Sequence, residues 1–432
     1  MSKSFFSASS TLLIDRFFRA GIGLVVGILI ARHYGPEEFG QLSYVLLAAT
    51  LFGSLATLGL DEIGPRDMAS LHPDHPNRGD MLTTILRIRF LGGLVAYLLL
   101  VLFVYLELGI GTSYWIALIL GLYLPLQSSD AYDYRFRAEN KFSSIAVTRS
   151  FSAFCSATLK VASVILGLPI YVVVFAMTGE YGLNNLLFFW LNKSQFGKDS
   201  QFDVTYTKLL LSRSWKIMLA GIVMALQIRV EYFLIEKFLD WNSVGQYSAA
   251  LKIFEILEVV PIIFAMVLIP KLAASLQEKS KNQLSESFQR SYLGGIAIYL
   301  ALLPIMGLII WVFPYAFGEK YLAAEALLPL LIIRPLFGML SAIRGVFVII
   351  EHNYFYPLIA SSLGFAISLM ASLTFIPKFG LIGAVIANLA GLFGSTILAD
   401  LLFYRKSSVA LMKSFQQIPF AIEKLRSLSL KG

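Results

Sequence analysis

Apolar residues run along this chain in long stretches separated by short polar connections. Twelve such runs lie near 10–33, 41–63, 81–106, 113–130, 142–166, 169–191, 209–236, 244–270, 291–315, 322–350, 355–376 and 380–404. A helix rising ~1.5 Å per residue needs about 20 residues to cross a hydrocarbon layer ~30 Å thick, and the runs have that length. The pattern predicts an all-α membrane protein of twelve transmembrane helices. The first run carries Asp15, Arg16 and Arg19 and lacks a small-residue cleavage site, so it reads as a spanning helix and not as a signal peptide. Pro125, Pro261, Pro304 and Pro335 fall inside runs and predict kinks. Gly23 and Gly27 form a small-xxx-small pair that predicts close helix packing.

An even number of spans puts both termini on one side, and the charges choose the side. The N-terminus, the connections around 64–80, 131–141, 192–208, 271–290 and 351–354, and the tail from 405 hold 19 Lys and Arg; the opposite connections hold 4. By the positive-inside rule both termini are cytoplasmic. The connections are too short to fold as soluble domains. Composition agrees: 57% hydrophobic, 14% charged and a mean hydropathy of +0.73. The net charge of +8 would suggest nucleic acid in a soluble protein, but its placement here follows topology, so no nucleic-acid partner is expected. One cysteine, Cys155, excludes an internal disulfide, and the two histidines of "HPDH" at 72–75 have no further ligand nearby, so no metal and no cofactor are expected.

The phrase "GPEEFGQLSY" at 35–44 returns as "DWNSVGQYSA" at 240–249, with Gly40, Gln41 and Ser43 matched by Gly245, Gln246 and Ser248. The first copy joins runs 1 and 2; the second joins runs 7 and 8. The repeat unit is therefore six helices, an even number, which makes the repeats parallel. A fainter echo sets "GLPIYVVVFAMTG" from Gly167, opening run 6, against "GLIGAVIANLAG" from Gly380, opening run 12. The expected domains are a six-helix bundle over 1–204, a second over 205–404 and a cytoplasmic basic tail over 405–432. Two parallel six-helix repeats around a central cavity suit alternating access.

Charges inside the runs point to chemistry, because lipid rejects them. An Arg or Lys at the bilayer centre costs roughly 2.5–3.5 kcal/mol on insertion scales. Arg213 and Lys216 are near enough to a helix end to snorkel. Arg87 and Arg89, two apart, point to nearly opposite sides, and either snorkelling or a site accounts for them. The candidates to line a wet, cationic cavity are Arg16, Arg19, Arg149, Lys160, Arg229, Lys252, Arg334 and Arg344, of which Arg344 is near the cytoplasmic end of its run and open to either account. Arg149 and Lys160, eleven residues apart, share one stripe of a helix; Arg19 and Arg334 are nearest the midplane. An excess of buried cations favours an anionic substrate, and the planar fork of Arg fits phosphate oxygens. Asp15, Glu231, Glu255 and Glu258 are candidates for coupling to H⁺ or Na⁺. Asp15 and Arg19 are also spaced to pair, and Lys252, Glu255 and Glu258 drift slowly around one helix.

Several stretches carry a family resemblance: "ARHYGPEEFGQLSYVLLAATLF", "RVEYFLIEKFLDWNSVGQYSAALKIFEILEVVPIIFAMVLIPKLA" and "FGLIGAVIANLAG". Over nearly its whole length the chain resembles the Wzx-type polysaccharide flippases of the multidrug/oligosaccharidyl-lipid/polysaccharide exporter superfamily. Gly245, Tyr247, Ala249, Ala250, Lys252, Glu255 and Pro270 match the family pattern, while Glu231 stands where relatives often show Asp. The resemblance implies a non-enzymatic bacterial inner-membrane protein. It would move a polyprenyl-pyrophosphate-linked oligosaccharide from the cytoplasmic to the periplasmic leaflet, with membrane lipids, a polysaccharide polymerase and chain-length proteins as partners. Two alternatives stand beside it. A membrane glycosyltransferase using a polyprenyl-linked donor would use Glu37 and Glu38, but the second copy of the phrase lacks that pair. A drug or cation exporter of the same superfamily would want an acidic or neutral cavity.

Overall fold

The computed structural model describes residues 3–70, 77–196, 202–276, 281–351, 353 and 355–414. Every element among them is helical. In chain order these are α1 (Lys3–Thr57), α2 (Leu60–Ser70), α3 (Asn77–Leu108), α4 (Thr112–Gly121), α5 (Tyr123–Leu126), α6 (Asp130–Ala138), α7 (Phe142–Ile165), α8 (Ile170–Phe196) and α9 (Val204–Phe238). There follow α10 (Trp241–Glu255), α11 (Val259–Leu276), α12 (Lys281–Phe317), α13 (Leu322–Leu331), α14 (Arg334–Ile350), α15 (Tyr356–Phe393) and α16 (Ala399–Phe403). Short 3₁₀ turns interrupt the chain at Gln127–Ser129, Ile256–Glu258 and Glu319–Tyr321, and a π-helical turn at Gly394–Leu398.

The twelve predicted runs all fall on helix, but the helices are divided differently. Among the described residues six are long and apolar enough to cross a membrane, or seven if the pair Glu319–Leu331 and Arg334–Ile350, bent by 48°, is one span. Two of the six, Arg19–Ser70 and Tyr356–Phe403, are 52 and 48 residues long, each enough for two crossings. Each breaks at a glycine. Gly35 (φ 77°, ψ 174°) and Gly380 (φ 56°, ψ −133°) adopt backbone angles that a side chain disfavours. Pro36 then follows Gly35, where its fixed φ suits the first turn of a new helix. Other runs fall short for chemical reasons: α7 is rich in Ser and Thr, and 3₁₀ turns divide the runs that contain α5 and α10.

Two compact units emerge from the packing. One comprises Met1–Glu236 and Asp240–Ser248, the other Lys237–Leu239 and Ala249–Gly432. The sequence repeat puts its boundary at 204/205, whereas packing carries α9 into the first unit, where Gly59 lies against the backbone of Ser214 and Met218. The first unit's core gathers Leu60, Met68, Leu82, Ile85, Tyr134, Phe136 and Phe188. The second gathers Phe288, Tyr292, Ile343, Phe347, Tyr356 and Tyr404. Leu106, Phe175, Trp190 and Trp311 point outward at 65–75% exposure, as the solvent of a multi-pass membrane protein requires.

Two local expectations are corrected. Gly167 closes α7 instead of opening a helix: its N–H reaches the Val164 carbonyl and that of Leu168 the Ser163 carbonyl, the pattern of a glycine C-terminal cap. Gly23 has nothing within 4 Å of a built Cβ, so among the described residues it serves no close helix approach.

Candidate functional site

Three candidate cations of the first unit have described partners. Arg149 on α7 pairs with Asp130 at 2.9 Å and Asp133 at 3.1 Å, both on α6. Lys160, three turns along the same stripe, meets Glu180 of α8 at 3.5 Å. Arg19 of α1 and Arg149 both lie within electrostatic reach of Tyr181 of α8, as do Asp130 and Glu180. Arg19 and Arg149 thus both lie near Tyr181, and Lys160 pairs with the neighbouring Glu180. Tyr123 packs its ring on Tyr181 and donates its hydroxyl to the Ala49 carbonyl, which fixes one wall.

The deepest cation of this unit is one that spacing left undecided. Arg89 is 1% exposed, while Arg87 on the opposite face is exposed. The Arg89 guanidinium donates to Asp61 of α2 and to the Tyr134 hydroxyl of α6, and Asp130 lies 3.8 Å away. Tyr134 in turn donates to Asp61. Asp133 also accepts from Arg137 at 2.7 Å. Arg89, Asp61, Asp130 and Arg149 therefore form one continuous charge network across α2, α3, α6 and α7.

In the second unit Arg334 meets Glu258 at 2.9 Å, and Lys252 lies 3.9 Å from Glu255. Arg344, ten residues and ~15 Å along α14 from Arg334, belongs to a different cluster. It pairs with Asp400 at 3.2 Å and donates to the Ser395 carbonyl in the π-helical turn and to the Ser341 hydroxyl. Tyr356 and Ser407 also donate to Asp400, and Tyr292 is 2.6 Å from Ser407. A π-helical turn leaves a carbonyl out of the regular ladder, and here Arg344 takes it up.

Of the remaining candidates, Arg229 is half-buried and Glu231 fully buried, on α9 of the first unit. Asp15 and Arg16 lie outside the described side chains, as does the tail beyond residue 414, and "HPDH" lies outside the described residues. Among the described residues there is no group of three or more His, Cys, Asp or Glu placed to hold a metal ion.

Most of the candidate cations are paired. Five of the eight, Arg149, Lys160, Lys252, Arg334 and Arg344, have a carboxylate within 4 Å, and Glu255 and Glu258 are two of those carboxylates. Four of the five cations draw their partner from another element, which spacing along one helix does not reveal. Such pairing is what makes cations tolerable inside a helical bundle.

The family described as "Polysaccharide biosynthesis protein" matches residues 7–276. None of the curated proteins compared with the chain matches it. Among solved structures, a lipid II flippase MurJ in an inward closed conformation is similar with a TM-score of 0.68 at 17% identity, covering 95% of this chain and 92% of that one. An inward-facing multidrug resistance MATE family transporter of the MOP superfamily is similar with a TM-score of 0.60 at 14% identity, covering 94% and 99%. Its outward-facing counterpart gives 0.59 at 15%, covering 95% and 96%. At these identities the likeness is one of fold.

Proposed function

The chain belongs to the polysaccharide biosynthesis protein family, and from that premise we propose that it is a flippase. It carries a polyprenyl-pyrophosphate-linked oligosaccharide from the cytoplasmic to the periplasmic leaflet of a bacterial inner membrane, with both termini cytoplasmic. The observation that carries the reading is the placement of Arg19 and Arg149 about Tyr181 inside the first unit, with Lys160 beside the adjacent Glu180. A diphosphate presented to these cations gains charge-assisted hydrogen bonds that no neutral lipid can make. Alternating access then exposes these cations first to one side and then to the other. The cytoplasm is negative, so outward movement of the anion is downhill by about 2.3 kcal/mol per charge per 100 mV. A polymerase and chain-length proteins would act on the delivered cargo.

The carboxylates beside those cations favour a second reading, export of organic cations, and the fold is shared with multidrug transporters. One experiment separates the two. The purified protein is heated with a polyprenyl pyrophosphate or with a panel of organic cations. Stabilisation by the pyrophosphate supports the flippase; stabilisation only by the cations reverses the assignment.

A further inference from the structure

The ion pairs inside the two units are not alike. Asp400 is 3% exposed, and Tyr356 and Ser407 hold it from other directions, so it cannot leave Arg344. Glu258 is different. Its partner Arg334 is 10% exposed, but Glu258 itself is 42% exposed. The cation is fixed in the protein while the anion stands at the accessible edge. Lys160 and Glu180 repeat the asymmetry in the first unit, at 13% and 27%.

The backbone sets Glu258 and Arg334 at interruptions. Glu258 ends the 3₁₀ turn between α10 and α11, and Arg334 opens α14 just after the 48° bend from α13. Broken helices inside a membrane bundle occur where the chain lines a polar site, because freed backbone groups need partners. A carboxylate and a phosphate offer a guanidinium the same pair of oxygens.

We propose that Glu258 is a stand-in anion: it neutralises Arg334 between transport cycles and yields it to the diphosphate of the cargo. This rests on the flippase reading. The exchange has two consequences. Arg334 is never bare inside the membrane, and only a ligand with more negative charge than one carboxylate takes the site. Returning Glu258 also helps to expel the cargo, so the pair favours turnover over tight binding.

The test uses the purified full chain and farnesyl pyrophosphate as a soluble probe, with farnesol as the uncharged control. Binding is titrated by the shift in melting temperature. Glu258→Gln should bind the pyrophosphate about fivefold more tightly than wild type, the scale of a partly exposed ion pair. Arg334→Gln should lose most of the pyrophosphate-specific shift. Glu286→Gln removes the same charge from an exposed pair with Arg290 and should change nothing. Glu258→Asp, which shortens the arm without removing the charge, should bind about twofold more tightly, and it serves if the Gln variant does not fold. If wild type binds but Glu258→Gln and Glu258→Asp bind equally or more weakly, the stand-in is wrong and the flippase reading is untouched. If neither wild type nor the Glu258 variants respond to pyrophosphate over farnesol, both readings fall.

Discussion

Gly245 and Pro36 approach so closely that a Cβ built on Gly245 would lie 1.8 Å from the Pro36 carbonyl oxygen. The reciprocal contact is nearly as tight: a Cβ on Gly40 would lie 2.2 Å from the Trp241 carbonyl oxygen and 2.8 Å from the Gly245 nitrogen. The two copies of the repeated phrase therefore pack against each other within the first unit. Tyr44 adds an edge-on contact to the Trp241 ring. Their shared glycines have a steric cause, since both backbones must come within touching distance.

That contact predicts intolerance to a single methyl group. Gly245→Ala must push backbone against backbone, and overpacking of this kind costs about 1–3 kcal/mol or more. The melting temperature of the purified variant should fall by several degrees. Gly23→Ala, where a Cβ meets nothing within 4 Å, should be neutral or slightly stabilising, since Ala is favoured over Gly in helix by about 0.5–1 kcal/mol.

Arg87 and Arg89 should separate cleanly. Removing Arg89 leaves Asp61 and Asp130 without a shared counter-charge. Asp61 is half-exposed and can rehydrate, so the loss from Arg89→Ala should sit near the low end for breaking a buried pair, about 3 kcal/mol. Arg87 is exposed, at 5.8 Å over the Phe202 ring, and Arg87→Ala should cost less than about 1 kcal/mol. Melting curves of the two variants side by side check the difference.

How far these features could be read in the sequence depends on distance along the chain. The apolar runs, the Gly35 and Gly380 phrases and the depth of Arg149 and Lys160 are local facts, fixed by periodicity and rise per residue. Partner choice is not local. Asp61 and Tyr134 reach Arg89 from 28 and 45 residues away, on the short polar helices α2 and α6, whose several charged residues leave the choice of partner open in the sequence. Spacing therefore located the cations of the helix interiors but not the carboxylates from neighbouring elements that neutralise most of them. The same limit hid the contact between the two repeated phrases: duplication was visible, but nothing in the letters says that the copies touch.

Arg344 should prove structural. Both it and Asp400 are buried, and all the contacts described for the pair lie within the second unit. Arg344→Ala strands a buried carboxylate and should destabilise by about 3–5 kcal/mol. The double variant Arg344→Met with Asp400→Leu removes both charges and should recover most of that loss, as apolar replacement of a whole buried pair is often neutral. If the double variant also restores transport, measured as surface polysaccharide in cells lacking the native gene, Arg344 has no role in holding cargo.

Arg19 and Arg334 should behave in the opposite way. Each is placed within reach of polar groups, Arg19 with Tyr181 in the first unit and Arg334 with Glu258 in the second. Glu258 is partly exposed, so its loss of a partner is cheap, and Arg334→Ala should cost only about 1 kcal/mol of stability. Transport should suffer far more. A guanidinium that contacts the diphosphate at any stage of transport is worth about 4 kcal/mol before desolvation at an effective dielectric of 20, so surface polysaccharide should fall below detection for either variant. The protein should remain in the membrane at near-normal amounts, which immunoblotting of membrane fractions would establish. Arg19→Lys and Arg334→Lys keep the charge but lose the fork, and should retain a partial signal if charge dominates and almost none if geometry does. Normal surface polysaccharide from both alanine variants would place the cargo elsewhere in the molecule.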